Sequence, residues 1–557
     1  MRGRPPISRG RDVKPQMSRR AAIAAALACL AGALAPAQSV PSLDLQISPG
    51  ERWWVGVVSQ SQRMPLARSS PPFEIDLDGN TAGNQVQPLL LSSEGRFIWS
   101  DEPFRLSVHD GTIHAVPHGG SLQAGRQGAT LRDAARHASA TFFPPSGRAP
   151  DPLLFTRPQF NTWIELTYNQ NQRDVLAYAH AIVANGFDPG VLMIDEGWFK
   201  AYGVWDFDRG RFPDPKGMID ELHALGFKVM LWVCPYIRPD GQEFTVLFHD
   251  TTRTVWLRSA KDPTLPAIMH WWDGFSAVVD LTSPEGREWF TGQLHRLVRT
   301  YGVEGFKLDG GDAELFAQSA MLTGAVAHDL TAGPNDQTEA FARIGLEFPL
   351  NEYRAMWKMG GQPLAERLRD KEHTWTDLRT LVPGILNQGL MGYPFACPDM
   401  IGGGEYLSFE NLAAVDQELI VRAAEVHALM PMMQFSVAPW RVLSAENLAI
   451  TRRMARLHTE HGPEIVALAD EAARTGEPIA RALDYSYPGH GYEDIVDEFL
   501  LGPDILVAPV VEKGARSRRL VVPPGRWKGD DGSTLLGPTA VQIDVPLERL
   551  PWYRRTD

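Results

Sequence analysis

Val303 to Asp312 reads VEGFKLDGGD. A short apolar run that ends in a carboxylate and two glycines is how a barrel strand reads as it leaves the core and delivers a reactive group to the rim. Lys307 and Asp309 are two apart and so share one face of that strand. A cation beside the carboxylate favours its ionised form, which a nucleophile requires. Gly310 and Gly311 allow the chain to turn away tightly.

On the N-terminal side, NTWIELTYN (161–169) reads as a strand, NQRDVLAYAHAIVANG as an amphipathic helix ending at Gly186, and GVLMIDEGW (190–198) as a second strand ending in acids. Asp214 as N-cap with Pro215 at the first position opens a helix to Gly226, and FKVMLWVCP (227–235) is the third strand. Residues 242–275 show no helix–strand alternation and read as a loop insertion before a helix from Ser283 to Thr300. The VEGFKLDGGD strand is the fourth. FPLNEYRAMW (348–357), QPLAERLRD (362–370), GYPFACPD (392–399) and MPMMQFSVAPW (431–441) complete eight, with helices at about 376–391 and 409–429. Strands alternating with helices and ending in polar residues predict a closed parallel β/α barrel. The polar ends supply Asp195, Glu196, Asp309, Arg354, Asp370, Asp399 and Ser436.

The flanks read differently. Residues 40–150 carry short alternating runs (LDLQIS, RWWVGVV, FEIDLDG, GRFIWS, FRLSVHDGTIHAV) separated by turn residues, as in an all-β sandwich. FLLGPDILVAPVV, RRLVVPPGRW and AVQIDVPL near the C-terminus return to β. The expected fold is therefore α/β: a (β/α)8 TIM barrel over residues 156–460, an N-terminal β-sandwich over 38–155 and a C-terminal β-sandwich over 461–557. A length of 557 residues suits one large domain with smaller companions. No internal repeat is visible.

Residues 1–37 read as an export signal. From Met17 a basic Ser18-Arg19-Arg20 start, similar to a twin-arginine signal, precedes an Ala/Leu-rich run from Ala21 to Leu34 and an A-x-A site at Ala35-Pro36-Ala37. The run is shorter than the roughly 20 apolar residues a span needs, and no later segment could cross a bilayer, so a periplasmic or secreted protein is expected. Cleavage there removes seven Lys/Arg and one Asp from totals of 54 basic and 67 acidic residues, taking the net charge from −13 to −19. Such a chain repels phosphate backbones, and nucleic acid is excluded as a partner. Cys234 and Cys397 then remain, too few for a disulfide framework or a zinc cluster, and read as buried thiols.

WTDLRTLVPGILNQGLMGYPFACPDMIGGG (375–404), the FKLDGG strand, WDFDRGRFPDPKGMIDELHALGFKVMLWVCP (205–235) and FLLGPDILVAPVV with LVVPPGRW together resemble glycoside hydrolase family 31, over about Asn161 to Trp527. YPFACPDMIGGG and MMQFSVAPW are most similar to the branch containing myogenesis-regulating glycosidase. That resemblance implies a retaining α-glycosidase removing a terminal α-linked hexose, galactose first, with an α-glucosidase, an α-xylosidase or a carbohydrate-binding pseudoenzyme as alternatives. The family's α-glucosidase branch has Trp two before the nucleophile and a late Arg-Asn-His. Here Lys307 and Gln434-Phe435-Ser436 stand in those places.

By the resemblance Asp309 is the nucleophile and Asp370, five before Trp375, is the general acid/base, with Arg369 and Lys371 replacing the family's flanking Gly and Asn. Burial beside the glycosyl-enzyme is expected to raise the Asp370 pKa. Asp195 matches the aspartate that grips sugar hydroxyls, with Glu196 assisting. Arg354, sixteen before Asp370, matches a sugar-binding arginine. Lys307 is placed on a hydroxyl, Trp198, Trp232 and Trp440 offer aromatic faces, and Asp399 and Ser436 support substrate binding from their strand ends. Asp377, a rival acid, lies within a helix. His458 and His461 are three apart with no third ligand evident, Asp312 and Glu314 are expected to fix the nucleophile loop, and the family chemistry uses no metal or organic cofactor.

Overall fold

The computed structural model describes residues 38–250 and 254–557; the export signal read over residues 1–37 lies outside the described residues. Eight parallel strands form the centre: β1 (Gln159–Asn161), β2 (Val191–Ile194), β3 (Lys228–Val233), β4 (Gly305–Leu308), β5 (Leu350–Tyr353), β6 (Glu366–Arg367), β7 (Ala396–Cys397) and β8 (Gln434–Phe435). They follow chain order around the wall, and β8 pairs with β1 through Gln159–Gln434 and Phe160–Phe435. The last seam is closed beyond β7 by a parallel bridge between Ile401 and Phe435. The wall is thin at that seam, and thin again between β5 and β6, which share the single registered pair Tyr353–Glu366. Seven of the eight segments expected to be strands contain one; of the first, 161–169, only Asn161 lies in a strand.

Helices cover the wall: α1 (Gln172–Ala184), α2 (Pro215–Ala224), α3 (Pro284–Tyr301), α4 (Pro334–Ile344), α5 (Trp375–Leu390), α6 (Gln417–Ala428) and α7 (Ala445–Thr475). Their starts are written locally. Asp214 accepts from Gly217 N–H with Pro215 at the first position, Ser283 caps α3 and Thr374 caps α5, each satisfying an N–H the helix leaves open. Trp289, Phe290, Leu294 and Leu297 of α3 and Leu378, Leu381, Val382 and Ile385 of α5 are buried on one face, the helical stripe that packs on a sheet.

Three readings are corrected. The chain past Asn161 does not continue as a strand: Asn161 Oδ1 accepts from Trp163 N–H at 2.7 Å, and this local turn starts the short helix Trp163–Leu166. The helix expected from 409 starts at Gln417, because Asp416 caps it. The segment from Gln242 has structure of its own, a helix Gln242–His249 and a three-stranded antiparallel sheet of Tyr236–Ile237, Gly274–Val278 and Ile268–Trp271.

The N-terminal residues form two sheets. Four strands (43–46, 73–76, 104–109, 112–117) make one. The other contains 38–40, 53–57, 85–92, 96–100 and 122–126, and its edge is completed by Met356–Trp357, a parallel strand lent by the barrel chain just after β5. At the C-terminus six strands form one antiparallel sheet, whose long strand 517–529 bends at a bulge between Val522 and Gly525 and encloses Leu500, Leu506, Leu520, Val522, Trp527 and Tyr553. Helix α7 runs unbroken past residue 460. Cys234 and Cys397 are free and buried, and no described helix is long and apolar enough to cross a membrane.

Candidate active site

A cavity of about 240 Å³ opens where the strands end, lined by Asp195, Glu196, Trp232, Lys307, Asp309, Arg354 and Asp370, with Trp163, Tyr168, Trp272, Met400 and Gly404 around its mouth. Trp232, Lys307 and Glu352 stand in register on β3, β4 and β5. One layer of the barrel therefore carries a tryptophan, a cation and an acid side by side. Sites for drug-sized ligands run about 300–1,000 Å³, so this one suits a single small ring rather than a chain.

Asp309 is held on both oxygens. Its Oδ2 accepts from Trp232 Nε1 at 3.1 Å and its Oδ1 from Gly310 N–H at 2.9 Å, with Arg354 Nε 3.4 Å from Oδ1. Burial pushes its pKa up, but the Arg354 and Lys307 cations outweigh burial and hold it below the usual range. Lys307 donates to Asp195 Oδ2 at 2.8 Å, and Asn161 donates to the same oxygen at 2.6 Å.

Asp370 is reached by two guanidiniums. Arg367 NH1 donates to Oδ1 at 2.6 Å and Arg354 NH1 lies 3.9 Å from Oδ2. This overturns the expected upward shift. Burial does push in that direction, but Arg367, Arg354 and Lys307 prevail and hold Asp370 below the ordinary value. Its side chain is 44% exposed, so water screens part of that pull. Asp370 caps no helix, since Thr374 does that for α5.

Arg354 is thus the common neighbour of both carboxylates, and it is fixed by a third acid: Asp312 Oδ2 accepts from its NH2 at 2.6 Å. Glu314, in the first turn of the helix Ala313–Thr323 that follows, accepts from Gly83 N–H and Thr81 Oγ1, each at 2.8 Å. Arg367, 1% exposed, bridges Glu352 (3.1 Å), Asp399 (2.6 Å) and Asp370. Seven carboxyl groups (Asp195, Glu196, Asp309, Asp312, Glu352, Asp370, Asp399) thus face three cations (Lys307, Arg354, Arg367). A dry site cannot hold that excess of negative charge, so some acids keep protons. Burial, with Asp195 and Asp309 adding to it, pushes Glu196 up to about 7; burial also takes Asp399 to about 7 and Asp312 to about 6. Glu196 accepts from Trp272 Nε1 at 3.3 Å and is hydrogen-bonded to Tyr202.

Four residues expected to bind substrate lie elsewhere. Trp198 is fully buried, donating to Trp232 O at 2.8 Å and packing on Phe207. Trp440 sits on a short helix outside the barrel, against Tyr178 and Phe187. Ser436 donates to Gly403 O at 2.7 Å at the closing seam. Asp399, in a left-handed conformation at φ 73°, accepts from Arg367 and from Lys371 N–H at 2.8 Å, behind the cavity. Trp232 does face the cavity, and it also orients Asp309. Arg367, Glu352, Asn161 and the aromatics Trp163, Tyr168 and Trp272 escaped the sequence reading. The register of Lys307 with Glu352 was the one signal that could have found an acid there. His461 pairs with Glu464 and His458 faces Ala428 O. No group of three or more His, Cys, Asp or Glu side chains placed to hold a metal ion occurs among the described residues.

A parallel barrel that gathers acids and cations at the carboxyl ends of its strands has the architecture of the barrel enzymes. The model described as the glycosyl hydrolases family 31 TIM-barrel domain matches residues 152–463, and that of the family's C-terminal domain matches 476–557. The chain belongs to glycosyl hydrolase family 31. Myogenesis-regulating glycosidase of Mus musculus is 34% identical over 73% of this chain and 57% of its own length. Alpha-glucosidase 2 of Bacillus thermoamyloliquefaciens is 24% identical over 82% of this chain and 62% of its own. The chain therefore spans about three fifths of these relatives. Among solved structures, the Flavobacterium johnsoniae family 31 dextranase with glucose superposes at a TM-score of 0.80 with 20% identity, covering 92% of this chain and 66% of the other. A soil-metagenome α-xylosidase with xylose gives 0.78 at 21%, covering 93% and 81%. At these identities the structures speak for the fold.

Proposed function

We propose that the protein is an exo-acting retaining α-glycosidase that hydrolyses a terminal α-linked hexose, with galactose as the preferred sugar. The observation that carries this reading is that Asp309 and Asp370, from just beyond β4 and β6, face one ring-sized cavity with Arg354 within reach of both. Two carboxyl groups flanking one anomeric carbon are what double displacement needs.

In the first step an Asp309 oxygen attacks C1, the bond from C1 to the leaving oxygen breaks, and that oxygen takes the proton of Asp370. The product is a glycosyl ester on Asp309. In the second step Asp370, now a carboxylate, removes a proton from water as the water oxygen attacks C1 and the ester bond returns its electron pair to Asp309. Two inversions give net retention. Esterification also removes the Asp309 charge, whose effect on Asp370 is to raise its pKa. Asp370 is then a stronger acid, ionised as the base step requires.

The Lys307–Asp195 ion pair at the cavity floor supports the choice of sugar, since it offers a donor and an acceptor to hydroxyls where the α-glucosidase branch carries tryptophan. The names of relatives keep a second reading open within the family, α-glucosidase or α-xylosidase activity. A binding role alone is favoured by one relative, the SITS-binding protein of Tetronarce californica, 27% identical over 55% of this chain. A panel of aryl α-glycosides separates these, and proton NMR of the first-formed sugar reads retention. Asp309→Ala is expected to abolish release while the fold persists; undiminished turnover by that variant ends the assignment. We propose in addition that residues 1–37 direct export, which N-terminal sequencing of the mature protein from the periplasm or medium checks.

A further inference from the structure

We propose that the N-terminal sheet domain is part of the catalytic apparatus: the side-chain amides of Asn84 and Gln85 clamp the ends of β5 and β6 together and so set where Arg354 and Arg367 meet Asp309 and Asp370. The inference rests on the roles given to those two acids above. It begins at a thin stretch of the barrel wall, where β5 and β6 share one registered pair. Arg354 lies just past the end of β5, Arg367 is the last residue of β6, and each carries a backbone carbonyl beyond that shared pair. Both carbonyls are satisfied from another domain. Gln85 Nε2 donates to Arg354 O at 2.7 Å and to Arg367 O at 2.9 Å, and Asn84 Nδ2 donates to the same two oxygens at 2.9 and 3.2 Å.

Two oxygens bonded to one nitrogen cannot lie farther apart than the sum of those bonds, so each amide fixes the gap between the strand ends. The amides are themselves immobile. Asn84 and Gln85 are 1% and 0% exposed; Gln85 Oε1 accepts from Gln388 Nε2 on α5 at 3.1 Å, and Asn84 Oδ1 accepts from Arg369 N–H, next to Asp370, at 3.2 Å. The segment is anchored on either side, by Glu314 to Thr81 and Gly83 and by the pairing of Gln85 and Val86 with Met356 and Trp357. Arg354 and Arg367 are largely enclosed, so a shift of their backbones passes to their head groups. Neither amide lines the cavity of Asp309; they are positioning residues.

Gln85→Met keeps the length and removes the donors. Asn84→Asp keeps the shape and the acceptor for Arg369 and removes Nδ2–H. The groups facing the two acids are Lys307, Arg354, Arg367, Glu196 and Asp312 around Asp309, and Arg367, Arg354, Lys307, Lys371 and Asp399 around Asp370. Slackened arginines withdraw the positive charge that holds both acids low. The expected result for either variant is a kcat lower by about 10–100-fold, the size of effect seen when groups supporting an active site are removed. Both limbs of the kcat/KM–pH profile should also move to higher pH. Carbon-13 NMR of the protein labelled at Asp carboxyls follows the same two titrations without turnover, and both should move upward. Titrations unmoved in folded variants overturn the clamp, whatever happens to thermal stability. A wild type inert on every α-glycoside overturns the proposed function instead, and the NMR titrations then decide the clamp alone.

Discussion

Asp370 has its proton affinity set by neighbours rather than by depth. With Arg367 and Arg354 against it and Asp309 also held low, the active combination, Asp309 ionised and Asp370 protonated, gains population only as pH falls toward the carboxylate range. The expected kcat/KM for an alkyl or sugar aglycone declines as pH rises out of the acid range. The glycosyl fluoride, whose leaving group needs little protonation, should hold its rate, and pH profiles of the two substrates check this. Asp370→Ala is expected to slow the alkyl glycoside by about 10²–10⁴-fold, the usual worth of a general acid, and the fluoride far less. Added azide should restore turnover with a glycosyl azide as product. Asp309 was legible because strand, cation and glycines coincide in one short stretch. Arg367 was not, because a buried arginine three residues before an acid looks like any charged loop until the strands beside it bring Glu352 and Asp399 to its other side. Trp198 and Trp440 show the converse: aromatic residues near strand ends are read as binding faces, yet a large ring is satisfied equally well by Phe207 or Phe187.

The loop leaving β4 is packed as closely as the strand is. Gly310 has φ +72°, and a Cβ there would stand 2.9 Å from the Tyr236 ring; a Cβ on Gly311 would stand 2.1 Å from Phe341. Gly311→Ala must therefore displace α4 or the loop that carries Asp309 and Asp312. A stability loss of about 1–3 kcal/mol is expected, with lower kcat, and denaturant unfolding beside kinetics measures both. The strands themselves were legible from apolar runs ending in polar residues, as were the starts of α2 and α3 with Pro at the first turn. The first strand was overextended because Trp163-Ile164-Glu165-Leu166 alternates as a strand does, and the turn made by Asn161 overrides that pattern. Of the rim aromatics, Trp163 opens a short helix while Tyr168 and Trp272 sit in turns; their placement depends on distant contacts, such as Trp163 Nε1 to Gly404 O at 2.7 Å, and no local spacing announces them.

Buried acids outside the cavity make the whole molecule sensitive to alkali. Burial pushes Glu425 up to about 8, despite Arg422 beside it, and Glu498 and Asp484 to about 7, alongside Glu196 and Asp399. The folded state therefore holds more protons than the unfolded one above the ordinary carboxylate range, and stability falls as pH rises through the folded values. His427 and His458 are pushed down by burial to about 3 and 4, so their contribution is lost on the other side, as pH falls below the ordinary histidine range. The expected midpoint of thermal unfolding drops by several degrees between pH 6.5 and 8.5. Scanning calorimetry at a series of pH values checks this, and Glu425→Gln should flatten that slope. Met356 and Trp357 carry a consequence for the ancestry of such chains. Because the barrel lends them to the neighbouring sheet, a recombination event separating the two would strip one piece of its border strand and leave the other with an orphaned ribbon. A borrowed N-terminal module would have to bring a matching groove for that ribbon.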